Sequence, residues 1–126
     1  MDSPIESKLW RQVLQSRRFA HAFRGLHVLR VTTRHIFFHF LCALFAVFLG
    51  FYFKISNPEW IAIVFAIGLV IISEAFNTAI EIDIDLTSPE YHPYARDTKD
   101  VAAAAVLLSA ITAFIVGAII FVPRFL

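Results

Sequence analysis

Cysteine, methionine and glycine are scarce in this 126-residue chain, with one, one and four copies, and only 17% of its residues are charged. The single cysteine, Cys42, excludes an internal disulfide, and its apolar neighbours point to packing rather than to redox or metal chemistry. No glycine-rich phosphate loop occurs, so any nucleotide has to be held by helix surfaces and a connecting loop. The shortage of charge, with 59% hydrophobic residues and a mean hydropathy of +0.71, excludes an ordinary soluble domain. In its place stand three long apolar runs, each near the length that crosses a hydrocarbon core as a helix.

The first run, 36–53, is interrupted only by His39. It begins too late, is too long and lacks the cleavage pattern of a signal peptide. After a short turn containing Asn57-Pro58, a second span is expected over 60–85, and a third over 99–122. The stretch 101–122 holds no charge and is rich in alanine, with Ser109 and Gly117, a composition suited to close helix packing. Tyr52, Phe53 and Trp60 flank the turn as an aromatic belt. The expected architecture is all-α: a surface helix within 1–34, then three membrane helices, in one domain over 1–126.

Seven of the eleven basic residues precede the first span: Lys8, Arg11, Arg17, Arg18, Arg24, Arg30 and Arg34. Arg96 and Lys99 occupy the second loop. The positive-inside rule therefore places the N-terminus and the loop 86–98 in the cytoplasm. Phe19, Ala22, Phe23, Leu26 and Leu29 recur at helical spacing, which reads as an amphipathic helix lying on the membrane with its arginines toward anionic headgroups. Basic residues so close to membrane segments have lipid as their nearer anion, so nucleic acid is not expected as a partner.

The chemistry concentrates in the second span. Glu74, Asn77, Thr78, Glu81 and Asp85 fall within about a third of a helix circumference at 100° per residue. Carboxylates at membrane depth are costly and mark functional sites. Asp85 and Glu81 should lie near the inner headgroups, with Glu74 deeper by about 16 Å along the axis from Asp85. The loop 86–98 adds Glu90, Tyr91, His92 and Arg96, and a helix expected to start at Thr98 or Lys99 places Lys99 and Asp100 in its first turn. A carboxylate near the inner face can hold a divalent cation, a lysine can neutralise phosphate oxygens, and a deeper carboxylate can take a proton from a lipid hydroxyl. This combination describes phosphoryl transfer to a lipid. Acidic stripes also line ion paths, so a small transporter is a competing reading, disfavoured by three spans without an internal repeat.

The same residues resemble the small prokaryotic diacylglycerol kinase family, which includes the undecaprenol kinases. The resemblance covers nearly the whole chain and is most specific in E-x-x-N-[ST]-A-I-E-x-x-x-D, here Glu74, Asn77, Thr78, Ala79, Ile80, Glu81 and Asp85. It continues through Glu90-Tyr91-His92 and Thr98-Lys99-Asp100. It implies an ATP-dependent lipid kinase of the prokaryotic inner membrane, a homotrimer of three-span subunits with a cytoplasmic N-terminus. Glu74 would be the general base and Glu81 a Mg²⁺ ligand that also borders ATP. Asn77, Lys99 and Asp100 would contact the nucleotide or its surrounding network, with Glu90, Tyr91, His92 and His21 beside it. Asp85 belongs to the same wall. Undecaprenol and diacylglycerol are both plausible acceptors, the form Phe76-Asn77-Thr78 looking more like the undecaprenol kinase branch.

One departure stands out. Where the family carries a second metal-binding glutamate, this chain has Thr33, and a neutral hydroxyl is a weaker Mg²⁺ ligand than a carboxylate. A catalytically silent membrane scaffold is therefore the alternative to an active kinase. His35 and His39 lie one turn apart, but imidazole suits Mg²⁺ poorly and both read as structural. Asp83 replaces a usually apolar residue and projects opposite the acidic stripe.

Overall fold

The computed structural model describes the backbone of residues 4–33 and 35–126 and the side chains of 17–33 and 35–126. Four α-helices account for nearly all of it: α1 (Pro4–Thr32), α2 (Ile36–Tyr52), α3 (Asn57–Thr87) and α4 (Pro93–Phe125). The chain divides into two compact units, Met1–Thr32 and Thr33–Leu126. The first unit is α1, a 29-residue helix on which Phe19, Phe23 and Leu26 are exposed. Lys8, Arg11 and Arg34, which contribute to the expected orientation, lie outside the described side chains.

In the second unit α3 packs mainly against α4 and less extensively against α2. Both α3 and α4 are long and apolar enough to cross a membrane. The 17-residue α2 corresponds to about 26 Å of helix, close to a hydrocarbon core of roughly 30 Å. Large apolar side chains such as Phe37, Phe45, Phe65, Phe76 and Phe114 point outward, and no large side chain among the described residues is fully buried. Hydrocarbon, which solvates leucine as readily as a protein interior does, removes the usual demand that such faces turn inward.

Both long helices begin earlier than their apolar runs. Polar capping extends a helix beyond the segment that needs burial. Thus α3 starts at Asn57 rather than Trp60, with Ser56 as N-cap and Pro58 in the first turn, and it runs on to Thr87 rather than stopping at Asp85. The Ser56 N–H and Oγ both donate to Glu59 Oε2 at 2.8 Å, closing a capping box. Likewise α4 starts at Pro93 rather than at Thr98 or Lys99, with His92 Nδ1 accepting from the Tyr94 N–H at 3.2 Å. Proline fits this first position because its missing N–H would lack a helical partner anyway. Lys99 and Asp100 consequently sit in the second turn and beyond, outside the strongest field of the helix N-terminus.

The turn from α2 to α3 is a Schellman motif. The Ile55 N–H donates to Gly50 O at 3.1 Å and the Lys54 N–H to Phe51 O at 3.3 Å, while Lys54 takes the left-handed φ of 50° usually assigned to glycine. Ile55, the residue after it, is buried with Ile63, Ile120 and Phe121. Phe53 and Trp60 pack against this cluster, so these two help to seal the turn end of the bundle rather than forming a belt alone. Arg124 near the end of α4 donates to both carboxylate oxygens of Glu59, at 2.8 and 2.9 Å, and joins the start of α3 to the end of α4. With one end closed in this way, the polar residues of the other end are left to form a site.

Candidate functional site

Three polar side chains are buried among the described residues, Glu74, Thr78 and Ser109. Each is matched by a partner on another segment. His39 Nε2 lies 2.9 Å from Glu74 Oε1, the hydroxyls of Thr33 and Thr78 are 2.6 Å apart, and those of Ser73 and Ser109 are 2.6 Å apart. Leaving such a group unpaired typically costs about 1–3 kcal/mol, so these bonds also specify how α2, α3 and α4 are rotated against one another. The Ser109 hydroxyl donates to Ala105 O at 2.8 Å, which leaves its oxygen to accept from Ser73.

Among the described residues Glu74 is the most buried acidic side chain, only 4% exposed. His39 is its single side-chain partner among the described residues, and both side chains are largely withdrawn from solvent. One turn further along α3, Asn77 Nδ2 donates to Glu81 Oε1 at 3.0 Å. Asn77 Oδ1 is buried with no partner among the described residues. Glu81 itself is exposed, and its second carboxylate oxygen is the open hard ligand on this face, the chemistry that Mg²⁺ accepts. No group of three His, Cys, Asp or Glu side chains is arranged to hold a metal among the described residues. Mg²⁺ often uses one or two protein carboxylates and completes its shell with phosphate and water, so Glu81 fits as one such ligand, with Asn77 orienting its carboxylate.

From Glu81 onward the wall is open rather than buried. A pocket of about 300 Å³ is lined by Asp85, Glu90, Tyr91, His92, Arg96, Lys99 and Asp100, among others. It therefore gathers seven residues that the sequence already placed at this end, Arg96 among them. Lys99 Nζ is paired with Asp85 Oδ1. Asp85 lies 14 residues from this lysine in sequence, while the neighbouring carboxylate on the same helix face, Glu81, bonds Asn77. Asp85 is 69% exposed, and ion pairs in such surroundings contribute about 0–1 kcal/mol, so the lysine can exchange this partner for an incoming anion at little cost. Arg96 and Asp100 form a looser i,i+4 pair at 3.6 Å. His92 has a local role as the cap of α4, and its ring lies 5.5 Å from that of Tyr94.

Other expected residues fall elsewhere. His21 is exposed on α1, in the separate N-terminal unit. Thr33 is partly buried and hydrogen-bonded to Thr78, an engagement that spacing alone did not indicate. Asp83 is exposed and has no ion-pair partner among the described residues. On sequence His39 reads as structural because imidazole suits Mg²⁺ poorly, and it also stands isolated in an apolar run. The signal that could have marked it is that same isolation: a polar group at membrane depth needs a partner, and the nearest acidic group of comparable depth is Glu74.

The chain matches the family model described as prokaryotic diacylglycerol kinase over residues 20–121. It is 39% identical to the undecaprenol kinase of Bacillus subtilis over 106 residues, 84% of this chain and 86% of that protein. It is 31% identical to the diacylglycerol kinase of Escherichia coli K12 over 85 residues, 68% of this chain and 70% of that protein. A shorter match to the diacylglycerol kinase of Synechocystis is 51% identical over 59 residues, 46% of this chain and 34% of that protein. The family match spans the acidic wall of α3, the loop pocket and α4, and on it the chain belongs to the prokaryotic diacylglycerol kinase family of membrane lipid kinases.

Proposed function

We propose that this lipid kinase transfers the γ-phosphoryl group of ATP directly to the hydroxyl of a membrane lipid at the cytoplasmic face, with Glu74 as general base. The observation that carries this reading is the placement of a 4%-exposed carboxylate on the same helix wall as Asn77, Glu81 and Asp85, next to an open pocket bearing Lys99. The lipid hydroxyl oxygen forms a bond to the γ-phosphorus as its proton passes to Glu74, and the bond to the bridging oxygen breaks to release ADP. Lys99 turns from Asp85 toward phosphate oxygens, while Asp100, Glu90, Tyr91 and His92 border the nucleotide. Glu81 would hold Mg²⁺, which neutralises charge on the phosphates when bound, and Asn77 would orient Glu81 within the nucleotide network. No side chain is required to carry the phosphoryl group.

Undecaprenol is the favoured acceptor, because the relative named undecaprenol kinase is matched over most of both chains. Diacylglycerol is the alternative. The uneven distribution of basic residues supports a cytoplasmic N-terminus in the prokaryotic inner membrane, with α2 as a third span. The outward apolar faces of α2, α3 and α4 leave room for a homotrimer. A silent scaffold is the second reading, favoured by Thr33, whose hydroxyl is already engaged with Thr78 and brings no charge toward a cation.

Radiolabelled phosphate transfer from ATP to undecaprenol and to diacylglycerol in mixed micelles with Mg²⁺ tests both. Transfer by the wild type that is lost in Glu74→Gln and Glu81→Gln supports the kinase, and the preferred lipid names its acceptor. A folded wild type that is inactive on either lipid, with activity appearing in Thr33→Glu, identifies a silenced relative.

A further inference from the structure

We infer that His39 is a positioning residue for Glu74: its imidazole fixes the carboxylate and leaves one oxygen free for the acceptor hydroxyl. The inference rests on the reading of Glu74 as the base. A carboxylate in its base form only accepts hydrogen bonds, so in the 2.9 Å contact His39 Nε2–H donates and Glu74 Oε1 accepts. With Oε1 held, Oε2 has no partner among the described residues and remains available to the incoming proton.

Burial makes this bond hard to replace. The side chains of His39 and Glu74 are 14% and 5% exposed, so water is poorly placed to substitute for the imidazole. Hydrogen bonds in such low-dielectric surroundings are stronger than at a wet surface, and an unpaired polar group there is correspondingly costly. His39 also lines an apolar cavity of about 450 Å³ between α2, α3 and α4, where Cys42 is the nearest thing to a second polar lining group. No other ionisable donor from these helices faces Glu74 among the described residues. The pair links α2 to α3 across 35 residues of sequence, so the orientation of the base depends on how the first apolar helix docks.

The test uses the full chain in lipid-containing micelles and compares wild type, Glu74→Gln, His39→Leu and His39→Gln. Glutamine keeps a side-chain N–H near the position of Nε2, whereas leucine fills the space without a donor. Loss of an orienting partner commonly lowers activity by about 10- to 100-fold, so His39→Leu should reduce kcat by that factor with KM for ATP within about twofold of wild type. His39→Gln should recover most of the rate. A second readout does not require turnover: the rate at which the apolar reagent dicyclohexylcarbodiimide modifies Glu74, followed by mass spectrometry. A carboxylate released from its partner reacts faster, so labelling should accelerate in His39→Leu and stay near wild type in His39→Gln.

Near-wild-type kcat in His39→Leu overturns the inference, as does a His39→Gln variant no better than His39→Leu. Activity surviving in Glu74→Gln removes the general-base reading, and with it this role for His39. If the wild type proves inactive, unchanged labelling in His39→Leu overturns the orienting bond itself, and accelerated labelling supports it.

Discussion

Gly50→Ala should destabilise the bundle through one identifiable collision. Gly50 is buried near the end of α2, and a methyl group at its Cβ position would lie 2.6 Å from Trp60 Cη2, 2.9 Å from Cζ2 and 3.1 Å from Cζ3. Carbon atoms in contact settle at about 3.5–4.0 Å, so the indole or the helix has to retreat by roughly 1 Å. The indole is not a free end that can swing away. Its ring packs on Phe51 with centroids 4.8 Å apart, and Trp60 lies against the core cluster of Ile55, Ile63, Ile120 and Phe121. Overpacking of this kind costs about 1–3 kcal/mol. Exchanging glycine for alanine within a helix returns up to about 1 kcal/mol, leaving a net loss of roughly 1–2 kcal/mol. Thermal unfolding in detergent micelles, followed by near-ultraviolet circular dichroism, measures the change. Trp60→Phe removes the part of the ring that collides, so the double variant should be more stable than the sum of the single losses by about 1 kcal/mol. A Gly50→Ala protein as stable as wild type, or losses that simply add, would refute the collision.

Three further outcomes follow from neighbouring features. Lys54→Gly should raise stability by up to about 1 kcal/mol, because φ of 50° costs a lysine what it does not cost a glycine; the same thermal assay decides. Arg124→Met should lower the unfolding midpoint, since it leaves Glu59 with its capping contacts but without the paired bonds that tie α4 to α3. An unchanged unfolding midpoint would show that this pair merely decorates the bundle end. Lys99→Met should raise KM for ATP and lower kcat/KM by at least about tenfold while leaving stability nearly unchanged, because its resting partner Asp85 is exposed. Equal kinetics for Lys99→Met and wild type would remove the lysine from the nucleotide site.

Much of the helical framework and one wall of the site could be read directly from residue order. Helical periodicity is a local property, so the recurrence Glu74, Asn77, Thr78, Glu81 and Asp85 already dictated a shared face once α3 formed. The apolar runs likewise indicate helices, and Ser56, Glu59 and His92 extend α3 and α4 beyond those runs by capping. Capping and hydrophobicity are separate signals, and only the second is visible in run length.

Residue order alone did not choose partners across helices. His39 with Glu74, Thr33 with Thr78, Ser73 with Ser109 and Glu59 with Arg124 are separated by 35, 45, 36 and 65 residues. Whether two such groups meet depends on the rotation and depth of one helix against another, which side-chain packing settles. Local residue order is enough for the helices and for the face of α3 that carries the acidic groups, because those depend on neighbours three or four residues apart. That Lys99 meets Asp85 and that an imidazole holds Glu74 follow from packing, because those distances exist only after the helices have come together.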